Sequence, residues 1–407
     1  MKIIGPMAGI GSRLRPFTYS KPKGLLKIAG KRVIDHILDL FLTFPNNNID
    51  ILIITGYQNR TVEDHLKNRY KDHFNLEFLI QQPRFFKGDI PFYGGLGEAI
   101  FISKKWYESK IKSYESTDPN DFALIFLSDM LPLDGFGEIF YKLKGEKATV
   151  KIENLADDFK DDLLLNKNQL VYNQESNINN ENIDGIIGIM KIPKERAKNY
   201  GVIILNEKTG YIEKMIEKPK EFISDLAIAG VYAFKPKCMK KIYEFLEEEL
   251  NKYKNSEKEV QFTPALQNLI DEGFKLTIYK FNKGILDFGN AETLLEGNQF
   301  LLKLQENIMG GPANSIINSV LISPSYIGKN VILKNCIIGP YCSIGDNSII
   351  QNCIIKNSVI GDDCNLENII TNNSIIGDYV IMDNLIKEKL IIGDNSNIRS
   401  SEKNSYN

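Results

Sequence analysis

Histidine, cysteine and charge imbalance are all in short supply in this chain, and each shortage closes a functional route. The only histidines are His36, His65 and His73, all in the N-terminal half. The C-terminal half therefore has no imidazole to serve as a general base. The cysteines are Cys238, Cys336, Cys342, Cys353 and Cys364, an odd number without a Cys-x-x-Cys pair. That spacing fits neither a disulfide framework nor a zinc site, and it predicts small core residues in a reducing compartment, with the cytoplasm as the expected location. Lys and Arg total 50 against 52 Asp and Glu, a net charge of −2. No field of one sign points to nucleic acid or to a membrane surface. No apolar run reaches the roughly 18 residues that a transmembrane helix needs. The chain enters an apolar run, Ile3-Ile4, almost at once and shows no signal-peptide pattern. What remains is an ordinary soluble composition, 43% hydrophobic and 25% charged over 407 residues, which is enough for two or three domains.

The most informative segment follows that first apolar run. Met7-Ala8-Gly9-Ile10-Gly11-Ser12-Arg13-Leu14-Arg15-Pro16 leads into Lys21-Pro22-Lys23. Glycines and a serine let a backbone pass close to a polyanion, and its N–H groups form a concave nest. An arginine and two lysines stand within reach of the same anion, a planar fork and mobile point charges. No Gly-Lys-Ser/Thr closes the loop as a Walker A sequence, and the third glycine of the dinucleotide fingerprint is missing.

The first part of the chain alternates strands and helices. Strands are expected at 49–55, 76–81 and 122–127, and helices at 33–44, 59–70 and 95–107. This alternation predicts an α/β domain with a Rossmann-like mixed or parallel sheet and helices on both faces. Ligands then sit at the carboxyl ends of the strands, the edge expected to hold both the opening loop and Asp129. Residues 153–183 are rich in Asp, Asn and Lys and read as a surface insertion, with Asp157-Asp158 and Asp161-Asp162 in a solvated loop.

From 316 to 398 the texture changes. Tyr326-Ile327-Gly328, Ile344-Gly345-Asp346, Ile360-Gly361-Asp362, Ile376-Gly377-Asp378 and Ile392-Gly393-Asp394 repeat an aliphatic, Gly, polar pattern at multiples of about six residues. This is the pattern of a hexapeptide β-helix, with aliphatics stacked inside and Gly and Asn at the corners. The expected organisation is a catalytic domain over 1–305, a linker over 306–315 marked by Gly310-Gly311-Pro312, the β-helix over 316–398, and a tail over 399–407.

Further segments follow in order: Gly94-Gly95-Leu96-Gly97-Glu98-Ala99; Asp129 at a strand end; Glu217-Lys218-Pro219; Ala227-Ile228-Ala229-Gly230; Glu259 before a helix; and Leu286-Asp287-Phe288-Gly289. Each has a purely structural reading; Asp287, for instance, stands where it could cap the helix beginning at Ala291. With the opening loop, however, these segments make the chain resemble the sugar-1-phosphate nucleotidylyltransferases, most of all the long, glucose-1-phosphate thymidylyltransferase-like members that end in a left-handed hexapeptide β-helix.

The resemblance implies roles. Ala8, Gly9, Gly11, Ser12 and Arg13 wrap the nucleotide phosphates, and Arg13 and Lys23 are the catalytic cations. Gln81 and Gly97 contact the base, with Gln82 adjacent to Gln81. Asp129 and Asp287 are the Mg²⁺ carboxylates. Glu217, Lys218, Gly230 and Glu259 bind the sugar phosphate. The family opening has two adjacent glycines, and Ala8 replaces the first here. The aromatic stretch 83–93 is an added feature, a lid over the base or an oligomer contact. The implied reaction joins an NTP, best dTTP or UTP, to glucose 1-phosphate and releases pyrophosphate. Small-molecule substrates are the expected partners, with a homo-oligomer formed through the β-helix.

Three other readings fit parts of the chain. GTP with mannose 1-phosphate is an alternative substrate pair. A bifunctional uridylyltransferase–acetyltransferase needs an acyl-transfer base that the histidine-free β-helix lacks. A non-catalytic nucleotide-sugar-binding subunit is expected to lose Arg13, Lys23, Asp129 or Asp287, and all four are present.

Overall fold

The computed structural model describes residues 1–44, 49–56, 59–88, 90–145, 183–254, 256–305 and 314–399. The expected insertion up to 182, the linker up to 313 and the tail from 400 lie outside these residues. The chain divides into two compact units, one of 1–9 and 37–285 and the other of 10–36 and 286–407. This division does not follow the expected boundary at 305. Residues 10–36 and the helix Ala291–Gln305 group with the β-helix.

The first unit is built on a nine-stranded mixed sheet. Lys2–Met7 lies between Ile49–Thr55 and Ala123–Phe126, and Phe74–Ile80 extends the row; all four are parallel. Leu226–Phe234 pairs antiparallel with Ala123–Phe126 and with Gly185–Lys191, so the sheet is parallel in its first half and mixed beyond. The central strands Lys2–Met7 and Ala123–Phe126 are buried on both faces, as strands covered on both sides are. Ile4, Leu52, Ile54 and Ile125 pack with Ile100, Trp106, Met239, Ile242, Leu246 and Leu266 from helices on one side. On the other, Phe41 stacks on Phe136 at 4.3 Å and leans on Phe126 at 5.6 Å. The helix expected over 95–107 is broken into Gly95–Ile102 and Lys104–Lys110. Ser103 sits at the break, its hydroxyl donating back to the Ile100 carbonyl at 2.6 Å, a bond that competes with helix continuation.

In the second unit, short parallel strands from Ser315–Ile317 to Asn397–Arg399 stack into a parallel β-helix. Ser315 pairs with Ile332 and Ile332 with Ile349, after which the partners run Asn365, Ile381 and Asn397. The coils are thus one or two residues shorter than three full hexapeptides. Its core is Ile327, Leu333, Ile338, Ile344, Ile350, Ile355, Ile360, Leu366 and Ile376 with Cys336, Cys342, Cys353 and Cys364, all buried as expected. Asn335, Asn352, Asn368 and Asn384 turn one corner in the left-handed backbone region, with φ between 53° and 57°. Asn tolerates that conformation better than other residues with a side chain. Their amides form a ladder at 3.0–3.1 Å.

Candidate active site

The four parallel strands of the first unit end at one edge. Met7 is level with Thr55, and Thr55 with Ile80, so Ala8, Gly56 and Gln81 emerge side by side. Gly56 passes so close to the first loop that a Cβ there would lie 2.9 Å from the Ala8 carbonyl and 3.0 Å from the Tyr93 hydroxyl. Ser128 and Asp129 follow the adjacent strand Ala123–Phe126 and reach the same edge. Ser128 is buried and Asp129 half-buried.

Gln81, not Gln82, turns inward: Gln81 is buried and Gln82 exposed. Its amide nitrogen donates to Glu98 Oε2 at 2.8 Å and to the Gly95 carbonyl at 3.3 Å. Glu98 also accepts the Gly94 N–H at 2.8 Å and Arg84 Nε at 2.9 Å. A carboxylate collecting three donors fixes the orientation of the Gln81 amide, because an NH₂ group must face it. Glu98 stood inside the quoted Gly-rich motif, and an acid in the first turn of a helix was the available signal.

The glycines of that motif have a packing explanation. Gly97 N–H donates to the Val260 carbonyl at 2.8 Å, and Val260 N–H returns to Gly94 O at 2.7 Å. A Cβ on Gly97 would lie 2.7 Å from the Val260 carbonyl, so only glycine lets 259–260 approach. Gly97's backbone donor is therefore committed to Val260, and Glu259 is drawn beside Gly95. Glu259 is exposed and accepts Gln261 Nε2 at 3.2 Å. The aromatic stretch folds as a hairpin, Phe85–Lys87 with Ile90–Phe92, closed by Phe85 stacked on Phe92 at 4.7 Å.

On the far side of the sheet, residues 231–234 of Leu226–Phe234 pair with Ala123–Phe126, while Ala227 pairs with Val202. The hairpin Gly201–Leu205/Ile212–Glu217 is thereby stacked beyond the carboxyl end of Ala123–Phe126. Gly230, at φ 68°, marks the change of partner and accepts Leu127 N–H at 2.9 Å. Glu217 pairs with Gly201, and its Oε2 accepts the Thr263 hydroxyl at 2.6 Å. The two residues border a cleft of about 330 Å³ whose walls include Phe245, Gln267 and Asn268. Lys218 is exposed and left-handed at φ 43°, a strained state for lysine, with its N–H on the Tyr200 carbonyl at 3.1 Å.

The second unit holds Gly11, Ser12, Arg13, Lys23 and Asp287. Gly11 has φ 64°, and its carbonyl accepts the Thr18 hydroxyl at 2.9 Å. A Cβ on Gly11 would lie 2.9 Å from Thr18 Cγ2 and 3.5 Å from Lys23 Cβ, so the Arg13 turn and the Lys23 turn share this point. Arg13 is exposed and Lys23 half-buried. Asp287 Oδ1 accepts the Gly289 N–H at 2.8 Å. Space at Gly289 is closed by that oxygen on one side and by the Arg13 guanidinium, 3.2 Å from a Cβ, on the other. Arg13 and Asp287 are therefore brought together across Gly289. The helix cap is Asn290, whose Oδ1 accepts Thr293 N–H at 3.0 Å, so Asp287 is not spent on capping.

One expectation is corrected. Of the two lysines placed near the anion, Lys21 turns instead to Asp378 and Asp394 of the β-helix. Distant carboxylates gave no local sign of this in the sequence.

The two glycines of the opening loop should separate in a mutational test. A Cβ on Gly9 meets nothing within 4 Å, unlike one on Gly11. Gly11→Ala is expected to lower the melting temperature, since left-handed alanine costs roughly 1–2 kcal/mol before the Thr18 clash. Gly9→Ala should leave melting unchanged and weaken anion binding by the loop about tenfold by filling the nest. Equal melting losses in both would refute the distinction.

Among the described residues no group of three or more His, Cys, Asp or Glu gathers to cage a metal. Separate aspartates such as Asp129 and Asp287 offer hard oxygen donors, and one or two of these beside substrate phosphates are what Mg²⁺ takes. No helix among the described residues is long and apolar enough to cross a membrane.

The family described as Nucleotidyl transferase matches residues 7–162 and 146–304. The bifunctional protein GlmU of Methanocaldococcus jannaschii is 28% identical over 312 residues, 76% of this chain and 57% of its own length. The chain thus spans little more than half of that relative. The UTP–glucose-1-phosphate uridylyltransferase of Staphylococcus haemolyticus is 26% identical over 71% of this chain and 87% of its own. Among solved structures, a putative glucose-1-phosphate thymidylyltransferase from Bacillus anthracis matches 74% of this chain and 95% of its own at 19% identity and a TM-score of 0.50, a likeness of fold.

Proposed function

The chain belongs to the nucleotidyl transferase family, and from that membership we propose that it is a Mg²⁺-dependent sugar-1-phosphate nucleotidylyltransferase. The phosphate oxygen of a sugar 1-phosphate attacks the α-phosphorus of an NTP, the bond to the β-phosphate breaks, and pyrophosphate leaves. The observation that carries this reading is the convergence of Arg13 and Asp287 on the space beside Gly289, with the Arg13 turn meeting the Lys23 turn at Gly11. A cation, a carboxylate and an anion-binding turn in one place suit charge-neutralised phosphoryl transfer.

The residues divide the work. Ala8, Gly9, Gly11 and Ser12 cradle the triphosphate, and Arg13 holds its outer oxygens. Lys23 meets the charge that develops at the α-phosphorus. Gln81, held by Glu98, faces the base beside the Gly94–Gly97 turn. Glu217, Lys218, Gly230 and Glu259 receive the sugar phosphate. Asp129 and Asp287 are the metal carboxylates, and bound Mg²⁺ supplies further neutralisation of the phosphates. The attacking phosphate is already anionic, so no general base is required, and positioning provides most of the remaining acceleration.

The preferred substrates are dTTP or UTP with glucose 1-phosphate. The uridylyltransferase relative supports that choice. The β-helix contains no histidine to act as an acyl-transfer base. Self-association through the β-helix is supported by an outward row of Val320, Ile337, Ile354, Ile370 and Ile386, in which Val320 and Ile386 are 57% and 76% exposed; a light-scattering mass of one chain would refute it. The test of activity is pyrophosphate release across a matrix of NTPs and sugar 1-phosphates with Mg²⁺. Release is expected with a pyrimidine NTP and glucose 1-phosphate. No release from any pair would overturn the enzyme reading in favour of a nucleotide-sugar-binding protein.

A further inference from the structure

The recurring Gly-Asp of the β-helix has a structural cause and a second consequence. A Cβ at Gly328 would sit 2.5 Å from Asp346 Oδ1, and one at Gly345 at the same distance from Asp362 Oδ1. Each glycine makes room for the carboxylate of the next coil. That carboxylate accepts a backbone N–H from the coil before: Lys329 to Asp346 at 2.8 Å, Asp346 to Asp362 at 2.7 Å, Asp362 to Asp378 at 3.0 Å, and Asp378 to Asp394 at 2.8 Å. The result is a column of four aspartates locked to the backbone.

The column is occupied by residues of the 10–36 segment, which belongs to the same unit. Lys27 bonds Asp346 at 2.8 Å and Asp362 at 2.9 Å. Lys21 bonds Asp378 and stands 3.0 Å from Asp394, which also accepts the Ser20 hydroxyl. The neighbouring β-helix face is covered to match. Its outward Ser343, Val359 and Ile375 are at most 5% exposed, while a Cβ at Gly30 would strike the Tyr326 ring and one at Gly393 would touch Pro16. Ala29 N–H donates to Asn298 Oδ1 at 2.9 Å and to Ser343 Oγ at 3.2 Å. Burial alone would lower the Lys27 pKa, but Asp362 and Asp346 outweigh it and hold the ammonium above its ordinary range. Burial likewise opposes the Asp346 charge, and Lys27 with the Lys329 N–H reverses this and holds the carboxyl below its usual range. A depressed carboxyl contributes its stabilisation above the ordinary carboxylate range and loses it only as pH falls through the lowered value, so the clamp is complete at neutral pH.

We propose that this aspartate column is a positioning element for the reaction: it fixes Lys21 and Lys27 on either side of Lys23, so that the turn between them presents Lys23 to the substrate. Lys21, Lys27 and the four aspartates are positioning residues, and the β-helix thereby takes part in turnover beyond any role in self-association. This rests on the nucleotidylyltransferase reading for its chemistry, and on the ion pairs alone for its anchoring.

The test uses the full chain carrying Asp378→Asn and Asp394→Asn. Asparagine keeps the oxygen that accepts the backbone N–H, so the coils and their melting should be preserved while Lys21 loses its partners. The expected result is a kcat lowered about thirtyfold with the NTP KM within about threefold, as for an interaction felt in the transition state. Lys21→Met should reproduce the loss and Lys21→Arg should restore most of it. Asp383→Asn, half-buried in the strand Ile381–Ile386 outside the column, should change nothing. Hydrogen exchange of the 17–26 amides should accelerate in the double variant, a readout independent of turnover. Unchanged kcat in the double variant, or unchanged exchange, overturns the proposal. A wild-type chain inactive on every substrate pair overturns the nucleotidylyltransferase reading instead, and leaves the exchange result to decide the anchoring.

Discussion

Asp287→Asn is expected to lower kcat about a thousandfold while the protein melts as before, a loss in the range seen when one electrostatic stabiliser is removed from a charged transition state. Asparagine retains an oxygen for the Gly289 N–H, which Asp287 accepts at 2.8 Å. The turn into the helix Ala291–Gln305 is capped separately by Asn290. The substitution therefore removes a negative charge and little else. If Asp287 is a metal carboxylate, the variant should also need a higher Mg²⁺ concentration for half-maximal rate, since Mg²⁺ is held by few protein ligands and loses much with one of them. Steady-state rates across a Mg²⁺ titration, with a thermal melt, check both parts. Near-wild-type rates at the same Mg²⁺ would remove Asp287 from the site. Asp129→Asn is the companion variant, expected to fail in the same way.

Lys23→Met should cost about a hundredfold to a thousandfold in kcat and much less in the NTP KM. The reasoning is differential binding: charge at the α-phosphorus grows toward the transition state, so a cation aimed there is worth more in that state than in the ground state. Lys23 begins a short 3₁₀ turn, Lys23–Leu25, whose geometry is set by the backbone bond from Leu26 N–H to the Lys23 carbonyl at 3.1 Å. Methionine matches the aliphatic stem and leaves that bond intact. A pure KM effect would reassign Lys23 to ground-state phosphate binding. Unchanged kinetics would take it out of the chemistry altogether.

The elements governed by local pattern were legible in advance. Asn59–Tyr70 was expected to the residue, because Val62, Leu66 and Tyr70 recur on one face and are buried. The β-helix announced itself through its repeat, although the shorter coils were not apparent until the register of Ser315, Ile332, Ile349 and Asn365 was seen. The spacing over 95–107 fits one continuous helix because a helix-period pattern does not register a hydroxyl that turns back on its own backbone, as Ser103 does.

The site was legible as residue types and not as partnerships. Gln81 and Gln82 are equivalent by sequence alone, and Glu98 of the Gly94–Ala99 motif holds Gln81 inward. Gly97 looked like a place for a ligand to approach, and its close neighbour is Val260. Lys21 looked like a phosphate ligand from its place beside Lys23. Its partners lie more than 350 positions away, at Asp378 and Asp394, and no window along the chain contains both. Long-range ion pairs of this kind leave only a composition trace, here the Asp after each Gly, which equally fits a corner residue.

The Lys–Asp register also constrains how this lineage can change. Stacked-coil proteins ordinarily gain and lose whole repeats with ease, since each coil contacts only its neighbours. Here two lysines six positions apart must meet carboxylates on four successive coils. Excising the coil that begins at Asp346 or Asp362 would leave the stack intact and leave one lysine with a single carboxylate in place of two, so insertions and deletions among related chains should collect before Asp346 or after Asp394 and spare the stretch between. A segment of DNA that looks freely repeatable is held to a set number of copies by an arm of the same polypeptide more than three hundred codons upstream.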